Sequence, residues 1–327
     1  MPHTGTDACQ QEPTLRLGIS TCLLGERVRF DGGHKRDPFL TDILGQYVTW
    51  APVCPEVETG MSIPRESIRL AGDPKSPRLV GPKSGTDYSQ TMQQWSQNRL
   101  EELAALHLHG YVLKKDSPSC GLFRVRVYNE RGLPQRNGRG LYAQALAARL
   151  PLLPLEEEGR LNDMPLRENF IERVFACYRW TEMLDKEPTP GGLVRFHAAH
   201  KLTLMAHSPK HYTEMGRLVA DAGKRDWDEL TAEYGAMLMK GLSVMGTRGK
   251  HVNVLQHLMG FLKEQLTSED KQELLGLIED YRQGLLPLIV PLTLLKHHLN
   301  RHPVPDWVHQ QVYLNPYPKE LMLRNHV

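Results

Sequence analysis

The sequence contains few of the features that mark a secreted or membrane protein. Its 327 residues include five cysteines, and residues 1–14 contain no apolar segment of the kind that directs secretion. Cysteines in such a protein are expected to stay reduced, so no disulfide framework is predicted. The most apolar run, residues 285–295, is interrupted by Pro287 and Pro291 and is shorter than the roughly 20 residues that span a bilayer. We therefore expect a cytoplasmic protein that does not associate with membranes.

A strong charge bias is also absent. The chain has 40 Lys and Arg residues and 38 Asp and Glu residues, which gives a formal net charge of only +2. This small excess does not by itself indicate a nucleic-acid partner, although local clusters of charge still bind anions. With 40% hydrophobic and 24% charged residues, the composition is that of an ordinary globular protein long enough for two domains.

Short apolar and β-branched stretches alternate with helix-like segments in the first part of the chain. Residues 15–20, 47–53 and 110–113 have the composition of buried strands and are bounded by Gly, Pro or Ser. Residues 87–108 have the pattern of a helix between the second and third of these strands. This alternation predicts an α/β fold, a Rossmann-like open parallel sheet with helices on both faces.

The composition changes at residues 187–192, Glu-Pro-Thr-Pro-Gly-Gly, which predicts a linker. Before it we expect a flexible N-terminal arm at residues 1–14 and a catalytic α/β domain at residues 15–186. After it, residues 193–327 show helical patterns with few strand signals and are predicted to form an all-α domain. Its helices are expected at about residues 193–206, 209–222, 226–245, 249–266, 269–284 and 292–300.

Three of the cysteines, Cys22, Cys54 and Cys120, follow the predicted strands. Because the carboxyl ends of parallel strands face one crevice, these thiols are placed to converge on a shared ligand. Buried cysteine is nevertheless most often an inert core residue, and the separations match no compact zinc or ferredoxin pattern. Spacing alone therefore leaves both interpretations open. Cys177 is interpreted as a core residue, and Cys9 as a free thiol on the arm.

The residues around the three cysteines are more specific than their spacing. Residues 19–25 (Ile-Ser-Thr-Cys-Leu-Leu-Gly), 52–56 (Pro-Val-Cys-Pro-Glu) and 115–121 (Lys-Asp-Ser-Pro-Ser-Cys-Gly) resemble, in order, the signature segments of the thiouracil desulfidase (TudS) family. The resemblance extends over about residues 15–180.

The second part of the chain resembles a different family. Residues 195–201 (Arg-Phe-His-Ala-Ala-His-Lys) and 205–209 (Met-Ala-His-Ser-Pro) are similar to segments of the YbgA family of all-helical domains. The fusion of the two parts resembles RudS, a group of bacterial enzymes that convert 4-thiouridine in transfer RNA to uridine. The resemblance therefore implies a desulfidase that releases sulfide and has tRNA containing 4-thiouridine as its partner.

The resemblance also implies an iron–sulfur cofactor. It is a 4Fe–4S cluster held by Cys22, Cys54 and Cys120, which leaves one iron without a protein ligand. An open metal position acts as a Lewis acid, and sulfur is a soft ligand that suits it. Such a centre would polarise a thiocarbonyl, so that water replaces sulfide with no net redox change.

Water at neutral pH needs a positioned base, and Glu56 lies two residues beyond Cys54. We interpret Glu56 as the general base, against the alternative of a surface or capping glutamate. The resemblance implies a catalytic serine in the third motif, and both Ser117 and Ser119 are candidates, because their hydroxyls can donate to a pyrimidine or relay protons. The competing interpretation is a turn in which these side chains cap the backbone.

Basic residues that could contact phosphate occur in several loops, and a solvated surface explains them equally well. They are Lys75, Arg78, Lys83, Arg124, Arg126, Arg131, Arg136 and Arg139. Arg27, Arg29, Asp31 and His34 lie in a Gly-rich loop that could approach the substrate, with solvated loop charges as the alternative. The predicted helical domain holds eleven of the fifteen histidines. His197, His200, His207 and His211 have the spacing of a helical metal site, although polar helix histidines are the more common case.

Two alternatives to a tRNA desulfidase remain. One is a desulfidase that acts on free thiolated pyrimidines such as 2-thiouracil. The predicted helical domain argues against it, because a free base needs no second binding surface. The other alternative is a non-enzymatic nucleic-acid-binding protein with a structural metal site.

Overall fold

The structure is a computed structural model that describes residues 15–326. The expectations for residues 1–14, including Cys9, lie outside the described residues. The strands are β1 (Leu15–Ser20), β2 (Val48–Val53), β3 (Arg69–Ala71), β4 (Arg78–Val80), β5 (Gly110–Leu113), β6 (Val125–Tyr128), β7 (Pro134–Gly138) and β8 (Leu155–Glu157).

Four strands form a parallel sheet in the order β2-β1-β5-β8. In the middle of the sheet, Leu17 of β1 lies opposite Trp50 of β2 on one side and Gly110 of β5 on the other. Strand β1 is nearly all buried, as expected for a strand covered on both faces. The predicted parallel sheet is confirmed, and residues 15–20 and 110–113 are strands with the predicted bounds.

A second sheet, in the order β4-β3-β6-β7, is absent from the sequence prediction. It mixes parallel pairing of β3 with β6 and antiparallel pairing of β3 with β4 and of β6 with β7. Strands β3 and β4 have three residues each, too few to show a hydrophobic period. The β6–β7 hairpin carries a signal that could have been recognised, since Val125 and Val127 alternate with polar residues before a turn at Asn129–Gly132.

The helices confirm the predicted succession of α/β and all-α parts. They are α1 (Pro55–Glu58), α2 (Ser89–Ala105), α3 (Leu141–Arg149), α4 (Met164–Lys186), α5 (Pro190–His207), α6 (Pro209–Ala220), α7 (Trp227–Ser243), α8 (Arg248–Met259), α9 (Ser268–Gln283), α10 (Ile289–Arg301) and α11 (Asp306–His309). Side chains cap several of them: Ser208 accepts from the His211 amide at the start of α6, and Thr267 forms a capping box with Asp270 at the start of α9. Among the described residues, no helix is both long enough and apolar enough to cross a membrane.

Helix α4 packs against both parts of the chain. Its residues Phe170 and Val174 lie in the core beneath the parallel sheet, and the C-terminal residues Tyr317 and Leu323 belong to the same core. Farther along α4, Trp180 is in the core formed with α5, α6 and α7. The division into domains stays a prediction, but the chain between α4 and α5 is only the three residues 187–189.

Candidate active site

The order of the parallel sheet brings the three cysteine motifs to one edge. Strand β1 is central and its neighbours are β2 and β5, so the carboxyl ends of the three strands lie side by side. A cavity of about 330 Å³ opens at this edge, a size typical of small-ligand sites. The side chains in its wall that matter for chemistry are Cys22, Cys54, Glu56, Lys114, Ser117 and Cys120.

The three thiols are free and largely shielded from water. Cys22 and Cys120 are buried and Cys54 is half-buried. Burial raises the pKa of Cys22 to about 11, although the positive charge of Lys114 opposes this, and burial also raises the pKa values of Cys54 and Cys120. Metal binding at these positions must therefore displace protons from the thiols, and Lys114 favours the thiolate of Cys22.

The chemistry of the donor set fits an iron–sulfur cluster. Three soft sulfur ligands line one cavity, as iron–sulfur centres require. In the part of the chain that the structure describes, no three His, Cys, Asp or Glu side chains converge closely enough to hold one metal ion. A cluster binds each cysteine through a different iron, so its ligands stand farther apart than those of a single zinc ion.

The loop of the third cysteine is fixed by close backbone packing. Gly121 has no side chain, and a Cβ there would lie 2.4 Å from Cγ2 of Val125 and 2.7 Å from the carbonyl oxygen of Ser117. The buried carboxylate of Glu157, the last residue of β8, accepts hydrogen bonds from the amides of Leu122 (2.7 Å) and Phe123 (3.0 Å). These contacts hold Cys120 at the cavity wall.

Both carboxylate oxygens of Glu56 are bound. Oε1 accepts a hydrogen bond from Oγ of Ser119 at 3.0 Å, and Oε2 accepts from Nε of Arg65 at 3.1 Å and from Nη2 of the same residue. Glu56 belongs to the short helix α1, which starts directly after Cys54 at the end of β2. The structure thus places Glu56 in the cavity wall next to a cysteine, as its position in the sequence suggested.

The two serines occupy different positions. The Ser117 side chain lies in the cavity wall, and its Oγ accepts from the amides of Ser119 (3.2 Å) and Cys120 (3.1 Å). Ser119 is fully buried, outside the residues that line the cavity, and its hydroxyl donates to Glu56. Ser117 is therefore both a turn residue and a cavity residue, which shows that the two interpretations of this motif are compatible.

Sequence reasoning missed Arg65 and Lys114. Lys114 lies at the end of β5, where its Nζ forms a buried ion pair with Glu158 and lines the cavity. Its position directly after a strand end is a signal that could have identified it. Arg65 lies in a loop with no pattern, so only the fold places it against Glu56.

The basic loop residues and the four spaced histidines considered in the sequence analysis do not form one site. Arg29 lines the cavity, whereas the basic residues of the β6–β7 region, such as Arg126 and Arg136, are exposed. Arg136 pairs with Asp116 at 3.3 Å. The four spaced histidines make separate contacts: His197 with the Tyr234 hydroxyl, His200 with the Phe196 carbonyl, His207 with the Glu172 carboxylate and His211 with the Ser208 hydroxyl.

Each of the two parts of the chain matches a protein-family model. Residues 17–158 match the model of the 2-thiouracil desulfurase family. Residues 201–318 match a model described as a protein of unknown function, DUF1722.

Individual proteins are similar to each part. The chain is 31% identical over 159 residues to the Escherichia coli (strain K12) protein YbgA, an alignment that covers 48% of this chain and 94% of YbgA. It is 27% identical over 108 residues to the Bacillus subtilis (strain 168) protein YbbK, which covers 32% of this chain and 71% of YbbK. Among solved structures, a 4Fe–4S-dependent thiouracil desulfidase, TudS, is 30% identical, with 46% of this chain and 95% of that chain covered and a TM-score of 0.38.

Proposed function

Since the chain belongs to the YbgA family and carries a 2-thiouracil desulfurase domain before its YbgA-like part, we propose that it converts 4-thiouridine in transfer RNA to uridine. The desulfurase family supports the removal of sulfur from thiouracil-type compounds. The proposal adds that the thiolated base is part of tRNA, that the sulfur leaves as sulfide and that the reaction uses an iron–sulfur cluster.

One observation carries the proposal: Cys22, Cys54 and Cys120 come from three adjacent strand ends and line the same cavity as Glu56. Inert core cysteines are not expected to group around a cavity at the carboxyl edge of a parallel sheet, next to a carboxylate. Ligand sites of open α/β folds lie at this edge.

In this proposal Cys22, Cys54 and Cys120 hold a 4Fe–4S cluster. When bound, the cluster supplies a Lewis-acidic iron that has no protein ligand and favours sulfur. Arg29 and Lys114, the cations whose charge favours the Cys22 thiolate, offset part of the negative charge that three thiolates bring to the cavity.

Glu56 takes the proton of the attacking water. A carboxylate has about four acceptor positions, and Arg65 and Ser119 use three of those of Glu56, which leaves one on Oε1 for water. Oxygen from that water bonds to the carbon of the thiocarbonyl as the carbon–sulfur bond breaks. The carbon keeps its oxidation state, and the products are a carbonyl and sulfide.

Ser117 orients the pyrimidine. Its Oγ accepts two amide hydrogen bonds, and its hydroxyl proton has no acceptor among residues 15–326. That proton is free to donate to a ring nitrogen or oxygen of the base in the cavity. Ser119, in contrast, acts through Glu56, because its hydroxyl is buried and points to that carboxylate.

The tRNA substrate is favoured by the chain's second part and by charge at the cavity. Lys35 and Lys115 line the cavity and have no ion-pair partner among the described residues, so both are available to phosphate oxygens. A base within folded RNA must leave its stack to enter the cavity, which requires contacts to the surrounding RNA. The YbgA-like helices offer a surface for such contacts.

The test is to incubate anaerobic, cluster-loaded protein with tRNA that contains 4-thiouridine and to analyse the nucleosides. We expect uridine to appear as 4-thiouridine disappears, with an equal amount of sulfide. Free 4-thiouracil and 2-thiouracil serve as parallel substrates. Conversion of the free bases without conversion of tRNA would reassign the enzyme to free pyrimidines, and no conversion of any of them would overturn the proposed reaction.

A further inference from the structure

Arg65 lies in the cavity wall, where its guanidinium group is held by hydrogen bonds. Its side chain is only 7% exposed. Nε and Nη2 donate to Oε2 of Glu56, Nη2 also donates to the Val28 carbonyl (3.1 Å), and Nη1 donates to the Ser62 carbonyl (3.2 Å). All three guanidinium nitrogens therefore have partners, and the position of the guanidinium is set by the fold.

This arrangement fixes the orientation of the Glu56 carboxylate. Arg65 holds Oε2 with two donors, and Ser119 holds the other oxygen, Oε1, with one. A rotation of the carboxylate breaks a charge-assisted hydrogen bond on at least one oxygen. The planar fork of arginine suits this task, whereas lysine would supply the charge without the paired donors.

Arg65 also connects Glu56 to the loop that follows the first cysteine motif. Its amide donates to the Phe30 carbonyl at 2.9 Å and its Nη2 to the Val28 carbonyl, and both Val28 and Phe30 line the cavity. Sγ of Cys54 lies 3.9 Å from the same Val28 carbonyl oxygen. The Arg65 guanidinium thus connects the Glu56 carboxylate directly to the backbone of this loop.

We propose that Arg65 is the positioning residue of the desulfuration reaction: it holds the Glu56 carboxylate in the orientation that accepts a proton from water. The inference rests on the proposed function, because it assigns a role within that reaction. Arg65 does not touch the substrate in this account, and its effect passes entirely through Glu56.

The experiment is a double-mutant cycle on the full-length, cluster-loaded protein, using R65M, E56Q and the double variant. A misplaced catalytic group costs on the order of 100-fold in rate, so we expect R65M to lower kcat by about that factor with little change in KM. In the E56Q background, the same substitution should change kcat by less than about threefold, because residues that act as a unit are not additive.

A matched control is R99M. Arg99 pairs at 3.2 Å with Glu58, which lies in the same short helix as Glu56, but Arg99 does not line the cavity. We expect R99M to keep the kcat of the parent. R65K is a second variant that keeps the charge, and we expect it to lose about tenfold in kcat, less than R65M.

A readout without catalysis uses cluster-free protein with ¹⁵N-labelled arginine. The Nε–H of Arg65 should give a slowly exchanging signal that is absent in R65K and exchanges faster in E56Q. Iron content and thermal unfolding of each variant are measured alongside. If R65M does not fold, R65K and the NMR signal decide the question.

The inference is overturned if R65M slows the reaction by the same factor with and without Glu56, or if kcat of R65K equals that of the parent. It is also overturned if the Arg65 signal is unchanged in E56Q. An inactive parent protein would instead refute the proposed function, and the NMR comparison would still report on the contact.

Discussion

Ser117 and Ser119 are two residues apart, yet they belong to different parts of the site. Ser117 faces the cavity and retains a hydroxyl proton for a ligand, whereas the Ser119 proton is committed to Glu56. The sequence could not separate them, because both flank the same proline and either could have faced the cavity. Their orientation depends on the loop packing around Gly121.

This difference predicts two kinds of defect. S117A removes a group that binds the pyrimidine, so we expect KM for a thiolated substrate to rise with a smaller fall in kcat. S119A removes a hydrogen bond to Glu56, so we expect kcat to fall with KM nearly unchanged. Steady-state kinetics on one thiolated substrate measure both. Identical changes in the two variants would show that the serines do not have separate roles.

Substitution of Glu56 tests directly whether this residue is the general base. E56Q keeps the size and a hydrogen-bonding capacity of the side chain but removes the proton acceptor, and general base catalysis contributes about 10²- to 10⁴-fold. We expect a loss of kcat in this range with full iron content. E58Q is the comparison, since Glu58 is in the same helix but binds the Cys54 amide and Arg99 instead of facing the cavity. A normal rate for E56Q would remove the general base from the mechanism.

The loop of the third cysteine depends on close packing between elements. Helix α3 begins against this loop, where the amides of Leu141 and Ala143 donate to the carbonyls of Pro118 and Ser119 at 3.2 Å each. Gly121 allows the loop to approach β6. The position of Cys120 therefore depends on α3, β6 and β8 together.

We expect G121A to damage the cluster site. The added methyl group would lie 2.4 Å from Val125 Cγ2, and overpacking of this kind costs about 1–3 kcal/mol. Iron content after anaerobic reconstitution should fall, and the unfolding midpoint in urea should fall with it. G223A is the control, since a Cβ there meets no atom within 4 Å. If G121A kept both iron content and stability, the close packing of this loop would not matter.

The sequence was most informative where a strand leads directly into the site. The apolar composition of β1 and β5 predicted their bounds. The positions of Cys22, Cys54 and Cys120 directly after predicted strands indicated that they could converge, because the carboxyl ends of strands in a parallel sheet share one edge. The contacts of Arg65 were not predictable. They join a patternless loop to a helix and to a third loop, and such contacts depend on tertiary packing.

The two parts of the chain are joined by a buried polar network as well as by apolar packing. Tyr317 near the C-terminus donates to Glu168 of α4 at 2.6 Å, and the buried Arg324 lies 3.5 Å from the same carboxylate. His207 of α5 binds Glu172 of α4 at 2.7 Å. Removal of the helical part would leave these two carboxylates of α4 unpaired, so point variants test its role better than truncation.

We expect R324M to destabilise both parts together. Breaking a buried ion pair by removing one partner typically costs about 3–5 kcal/mol. Because the Arg324 contacts include Glu168 of α4 and the Tyr313 carbonyl, the loss should appear as one cooperative shift of the thermal transition. R301M is the control, since Arg301 is exposed at the end of α10. Two separate transitions in the parent would show that the parts unfold independently.

Buried histidines predict that acid destabilises the protein. Burial lowers the pKa values of His200 and His251 to about 3 each, below the ordinary value of about 6.5. Between these values the unfolded chain binds protons that the folded chain does not, so each histidine costs about 1.4 kcal/mol per pH unit as the pH falls below 6.5.

His207 has the opposite effect. Burial lowers its pKa, but the Glu172 carboxylate outweighs burial and the net shift is upward, so its contribution is present below pH 6.5 and is lost as the pH rises. Burial also lowers the pKa values of His109 and His197 to about 4. With four such histidines against one, we expect urea unfolding at pH 5.0 to give a smaller free energy than at pH 7.5. H200Q should reduce this difference. Equal stability of the parent at the two pH values would contradict the prediction.

The most direct test of the account is the iron and sulfide content of anaerobically reconstituted protein in which each cysteine is changed to alanine. We predict that C22A, C54A and C120A each lose the 4Fe–4S cluster and its visible absorption. C177A should retain both, since Cys177 lies in the helical core and its pKa is raised by burial alone. Parental iron content in any of the first three variants, or equal loss in C177A, would contradict the claim that Cys22, Cys54 and Cys120 together hold the catalytic centre.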